Sequence, residues 1–158
     1  DINGRTFCCG NAIIEQIEHA KQVVCYLITL GDAFDNWKEA TNRNNAIEAY
    51  FIDIYGSLLV ERLLQTVRLF FIEQKKRRHR FVSPAFYPGN CGWHISDVQQ
   101  IISLLPLQNN KVSITQSGMM RPVKSVCGLF AIGNTPFSQT NTCQLCTQKS
   151  CPFRKYFH

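Results

Sequence analysis

The chain has 158 residues, of which 45% are hydrophobic and 18% are charged, so it can bury the core of one compact domain and is not globally disordered. Its net charge of +6 comes mainly from a basic run at residues 75–80 and from the end of the chain. The longest apolar stretch, Val23 to Leu30, is too short to span a bilayer. Since the start of the chain has no signal-peptide pattern, we expect a cytoplasmic protein that does not bind membranes.

Apolar spacing predicts three elements in the first half of the chain. After Asn11, which can cap a helix, isoleucines recur with helical spacing. Residues 23–30 predict a buried strand, and a polar stretch follows at residues 35–45. From Ala46 to Phe71 the apolar residues keep a period near 3.6, so we expect one long helix there.

Shorter elements are predicted in the second half. A short strand at residues 80–83 leads into a loop at residues 84–94, where two prolines and two glycines exclude regular structure. Aromatic residues inside this loop make it a good place for a site. A helix, a strand, a turn and a second strand follow at residues 96–105, 112–115, 119–122 and 125–132. This order predicts an α+β fold, with helices packed on a small antiparallel or mixed sheet.

The eight cysteines fall into two groups. Cys25 and Cys127 lie in apolar strand-like runs, which favours reduced thiols and a reducing compartment. Cys143, Cys146 and Cys151 instead lie in a polar tail, with a spacing that suits zinc or an iron–sulfur cluster. The candidates for a fourth ligand are Cys91, which we favour, and Cys8, Cys9, His94 and His158. Three reduced surface thiols or a tail disulfide are the alternatives. We therefore divide the chain into a domain at residues 1–138 and a cysteine-rich tail, a candidate metal knuckle, at residues 139–158.

The basic run at residues 75–80 has two explanations. It could bind nucleic acid or an acidic partner surface, or it could be the solvated end of the long helix, where Lys and Arg complement the helix dipole. No aromatic stacking pattern or nucleic-acid motif accompanies the run. We therefore favour the helix end and expect no nucleic-acid partner.

Four segments, in chain order, resemble the activation domain of cobalamin-dependent methionine synthase and its stand-alone relatives. They are Gly56 to Glu61 in the long helix, Arg80 to Gly89 in the loop, Cys91-Gly92-Trp93-His94-Ile95-Ser96, and Ser117 to Gly128. The three-cysteine tail is similar to that of the same stand-alone relatives. The resemblance covers roughly residues 5–158.

That resemblance implies an activation-domain-like fold that binds S-adenosylmethionine. It also implies a partner corrinoid protein, or the cobalamin-binding modules of a methionine synthase. The oxidised cobalt of that partner is reactivated by one-electron reduction, from an electron donor, and by methylation from the sulfonium. Cobalamin would come only from the partner, because the chain has no Asp-x-His-x-x-Gly signature. The chain would be at most one part of this methyltransferase reactivation system in methionine biosynthesis, and none of its residues is a candidate for catalysis.

The ligand carries an ammonium, a sulfonium and a carboxylate, which a protein carboxylate and a guanidinium would complement. The resemblance assigns these groups to Glu61 and Arg80, and the adenosine or amino-acid part to Tyr87 and the Pro88-Gly89 backbone. The loop spacing leaves Phe86 as an alternative at the tyrosine position. We expect Glu61 and Arg80 to face a common hollow.

Other interpretations of the same residues remain open. Glu61 could be a surface charge that pairs with its neighbours, and Arg80 could simply end the basic run. The chain could also be an iron–sulfur or zinc-binding accessory module that docks on a corrinoid methyltransferase system without binding S-adenosylmethionine.

Overall fold

Helices and antiparallel strands make up the part of the chain that the structure, a computed structural model, describes: residue 2, residues 4–106 and residues 112–139. The helices are α1 (Asn11–Ile17), α2 (Asp32–Asn42), α3 (Ala46–Lys76) and α4 (Asp97–Leu104). The strands are β1 (Ala20–Thr29), β2 (Phe81–Val82), β3 (Ser113–Ile114), β4 (Met120–Arg121) and β5 (Ser125–Gly133). The predicted α+β class is confirmed.

The main sheet has three antiparallel strands in the order β1-β5-β2, so β5 is the central strand. Successive side chains of a strand point to opposite faces of its sheet. Cys127 and Leu129 of β5 belong to one hydrophobic cluster, whereas Phe130 and Ile132 belong to another. Because β5 is covered on both faces, seven consecutive residues from Cys127 onward are buried.

Different helices cover the two faces of the sheet. Ile13 of α1 and Ile101 of α4 pack in the cluster that contains Leu129, together with Trp93 of the loop. Leu64 of α3 packs in the cluster that contains Phe130. The loop at residues 84–94 therefore lies with α1 and α4, and α3 crosses the opposite face.

The long helix α3 has 31 residues and is capped by Asn45, whose side chain accepts a hydrogen bond from the Glu48 amide at 3.1 Å. It ends inside the basic run, with Lys75 and Lys76 in its last turn, where cations complement the helix dipole. Among the helices of the described ranges, none is both long and apolar enough to cross a membrane.

The structure differs from the sequence-based expectations in three local features. The polar stretch after β1 forms helix α2, which packs on α3 through the Phe34 ring without burying any residue fully. Gly10, and not Asn11, occupies the N-cap of α1. The expected turn at residues 119–122 contains β4, which pairs with β3 in a two-stranded sheet.

Candidate functional site

Glu61 lies on the exposed side of α3. Its Oε1 accepts a hydrogen bond from Gln65 Nε2 at 2.9 Å, one helical turn further on. The pair agrees with the interpretation of Glu61 as a surface charge, and it leaves the carboxylate in contact with solvent.

Backbone hydrogen bonds of Phe86 join the loop at residues 84–94 to β5. The Phe86 amide donates to the Leu129 carbonyl oxygen, and the Leu129 amide donates back to Phe86, both at 2.8 Å. Gly128 precedes Leu129 in β5, and a Cβ atom added there would lie 2.1 Å from the Phe86 carbonyl oxygen. Only glycine lets the loop come this close. Phe86 is thus a core residue, and Tyr87 is the half-buried one of the two.

The Pro88-Gly89 turn uses its own backbone groups. Gly89 has a φ of +90°, a conformation that favours glycine, and its amide donates to the Trp93 carbonyl oxygen at 2.8 Å. Pro88 is buried and, as a proline, has no amide hydrogen. The backbone groups that this pair could offer a ligand are therefore carbonyl oxygens.

The buried hydroxyl of Tyr26, on β1, is hydrogen-bonded to the loop. It donates to the Phe86 carbonyl oxygen at 3.4 Å, and its ring stacks on Phe130. Burial raises the pKa of Tyr26 well above its usual value, and negative charge on Tyr87, Cys127 and Glu61 raises it further. Of these three charges, that of Tyr87 has the largest effect and that of Glu61 the smallest.

Arg80 lies away from Glu61. It lines a hollow of about 550 Å³ at the end of α3, and the acidic residue in that lining is Glu73. Glu61 is not part of the lining, because it precedes Glu73 by twelve residues, or about 18 Å of helix rise. This hollow is therefore not the common hollow expected for Glu61 and Arg80.

An ion cluster that the sequence analysis missed joins α2, α3 and the chain just before β5. Lys124 is buried, and its Nζ lies 3.0 Å from Asp53 Oδ1 and 2.9 Å from Ser57 Oγ. Lys38 pairs with the same Asp53 carboxylate. Hydrogen bonds from Lys38 and Lys124 lower the pKa of Asp53 against a smaller effect of burial. The cluster brings together two of the four segments that carry the resemblance, since Ser57 belongs to the first and Lys124 to the last.

Of the four favoured metal ligands, Cys91 is described, and among the other candidates Cys8 is exposed and Cys9 half-buried. Cys91 is buried in the core cluster that contains Trp93, whose Nε1 donates to Asp97 Oδ2 at 2.8 Å. His94 is exposed, and its Nδ1 lies 2.7 Å from Ser96 Oγ. Cys143, Cys146 and Cys151 lie outside the described residues. Among the residues that are described, no group of three or more His, Cys, Asp or Glu side chains could hold a metal ion.

The described residues therefore offer two chemically different surfaces. One is the exposed Glu61 carboxylate on α3, which suits a cation, and the other is the basic hollow around Arg80. A comparison of the chain with models of known protein families found no match, and a comparison with curated proteins found none either.

Proposed function

We propose that the protein is a stand-alone relative of the activation domain of cobalamin-dependent methionine synthase, which binds S-adenosylmethionine and supports reductive methylation of a partner corrinoid protein. The order of the four resembling segments supports this proposal. The structural observation that carries it is the exposed Glu61 carboxylate on α3, with Tyr87 half-buried on the loop.

The charge of the ligand agrees with this pair of residues. S-adenosylmethionine has two cationic groups and one carboxylate, so a surface carboxylate attracts it and a cluster of cations repels it. In the proposal, the Glu61 carboxylate pairs with the ammonium or sulfonium, and the Tyr87 hydroxyl hydrogen-bonds the amino-acid or adenosine part. Arg80 is left out, because it lies among other cations. The bound ligand supplies the methyl group of its sulfonium, and the cobalt that accepts it belongs to the partner.

An exposed apolar stripe on α3 supports the proposal that the chain binds a partner protein. Ile47, Phe51, Ile54 and Leu58 are between 41% and 72% exposed and follow one another at helical spacing. Glu61 continues the same stripe, three residues after Leu58. Large exposed apolar patches commonly mark protein interaction surfaces. A corrinoid protein that covers the stripe would therefore end next to the Glu61 carboxylate.

Calorimetry with S-adenosylmethionine tests the proposal. We expect the wild-type protein to bind the ligand, and Glu61→Gln to weaken binding about tenfold or more, because a hydrogen bond to a charged group contributes about 1.5–3 kcal/mol. The matched control is Glu15→Gln, which changes an exposed carboxylate on α1 and should bind like the wild type. Undetectable heat at millimolar ligand with folded protein, or equal loss in both variants, would contradict the proposal.

The same experiment separates the alternative function. An iron–sulfur or zinc-binding docking module, held by Cys143, Cys146, Cys151 and a fourth ligand such as Cys91, would release no heat with S-adenosylmethionine. Its anaerobically prepared sample would nevertheless contain iron or zinc.

A further inference from the structure

The basic hollow lies where α3 ends, β2 begins and residues 136–139 return after β5. Its volume of about 550 Å³ is within the usual range for small-molecule sites, which is about 300–1,000 Å³. The charged or titratable residues of its lining are Arg68, Glu73, Lys76, His79 and Arg80. Most of the remaining lining is apolar and includes Phe81 and Phe137. The function proposed above uses none of these residues.

Arg68 is the most firmly held cation of the hollow. Its Nε donates to the Ser83 carbonyl oxygen at 2.7 Å, and its Nη2 donates to the Val82 carbonyl oxygen and to Gln139 Oε1. All of these acceptors are neutral, and within the described ranges no ion pair involves Arg68. The guanidinium is therefore fixed in position while its positive charge stays uncompensated.

The charges of the hollow favour a doubly charged anion. Three permanent cations, Arg68, Lys76 and Arg80, and the single carboxylate of Glu73 give a net charge of +2 without His79. A phosphate monoester carries a charge of about −1.5 to −2 at neutral pH, whereas a carboxylate carries −1. Guanidinium groups also match phosphate geometry through paired N–H donors. A phosphate monoester therefore balances this charge better than a carboxylate does.

The apolar part of the lining favours a ligand with a flat ring. Phe137 is buried, and Phe81 is 42% exposed, so it presents part of its ring to solvent at the rim. Aromatic side chains stack on nucleobases without strong sequence preference, for about 1–3 kcal/mol per base. We propose that the hollow binds the phosphate and base of a nucleotide, as a free nucleoside monophosphate.

Calorimetry of the full chain with adenosine monophosphate tests the proposal. We expect it to bind at least tenfold more tightly than adenosine or inorganic phosphate, because each of these lacks one half of the recognised ligand. Arg80→Met and Lys76→Met should each weaken it about tenfold, since each removes one cation. Lys76 is exposed in the last turn of α3, so its variant should fold even if Arg80→Met does not. The control is Arg62→Met, an exposed cation on α3 outside the lining.

The proposal would be overturned by no heat with the monophosphate at millimolar concentration, by equal affinity for adenosine, or by equal loss in the Lys76 and Arg62 variants. Tighter binding of a single-stranded oligonucleotide without a terminal phosphate would overturn it in favour of nucleic acid. Binding of S-adenosylmethionine by Lys76→Met, measured on the same sample, should match the wild type. Failure of the nucleotide site is therefore distinguishable from failure of the function proposed above.

Discussion

The cysteines of the domain differ in burial, and burial controls their chemistry. Cys8 is exposed, whereas Cys127 is buried in β5. Burial, together with the nearby Cys25, raises the pKa of the Cys127 thiol to about 12. Burial and the charge of Asp97 raise the pKa of Cys9 to about 11. Only the thiolate reacts with alkylating reagents, so the raised pKa slows the reaction of both thiols, and burial also limits access to Cys127.

At pH 8, we expect iodoacetamide to modify Cys8 at least tenfold faster than Cys127, because only about 10⁻⁴ of the Cys127 thiol is ionised at that pH when its pKa is about 12. Mass spectrometry of the digested protein measures both rates in one sample. In denaturant, which exposes both residues, the rates should become similar. Equal rates in the folded protein would show that the core around β5 opens readily.

At the scale of elements, periodicity predicted the long or buried ones best. The apolar period near 3.6 predicted α3, and continuous apolar runs predicted β1 and β5. Helix α2 was missed because it is half-exposed and polar, and its contact with α3 depends on the Phe34 ring lying against Gly56. No local pattern indicates that a glycine 22 residues further along the chain provides room for this ring.

The approach of the loop to β5 depends on Gly128, and Gly128→Ala tests it. The added Cβ would lie 2.1 Å from the Phe86 carbonyl oxygen and 2.6 Å from the Tyr26 hydroxyl oxygen, so loop and strand must separate. We expect a loss of about 3 kcal/mol in the free energy of unfolding, since overpacking a core commonly costs this much. The corresponding fall in Tm is about 6–12 °C, measured by circular dichroism. An unchanged Tm would mean that the loop is not held against β5.

At the scale of the whole molecule, the sequence did not predict the long-range polar contacts. The resemblance pointed to Glu61 and Tyr87, whereas the hydrogen bond from the buried Tyr26 hydroxyl to the Phe86 carbonyl oxygen became visible only in the folded chain. The ion pair of Asp53 with Lys124 joins residues 71 positions apart, and neither residue belongs to a pattern that indicates the other. Such a contact follows from how α3 crosses the sheet, which periodicity alone does not determine.

The Asp53 cluster predicts how stability depends on pH. The pKa of Asp53 is lower in the folded protein than its usual value of 3.8, so the folded state keeps the carboxylate charged to lower pH than the unfolded chain does. The stabilisation is therefore fully present above about pH 4 and is lost as the pH falls through the folded pKa. Asp53→Asn should lack this dependence. It should also be less stable at pH 7, because Lys124 would stay buried without its counter-charge.

Urea unfolding at pH 7, 5 and 3 measures the effect. Since the Asp53 side chain is 36% exposed and solvent screens its pairs, we expect Asp53→Asn to be less stable than the wild type by only about 1–2 kcal/mol at pH 7. The difference should be similar at pH 5 and smaller at pH 3. Glu39→Gln, which removes an exposed carboxylate of α2, should stay close to the wild type at every pH. If the Asp53 difference were the same at all three pH values, it would come from lost packing, and the ion cluster would not hold α2, α3 and the start of β5 together.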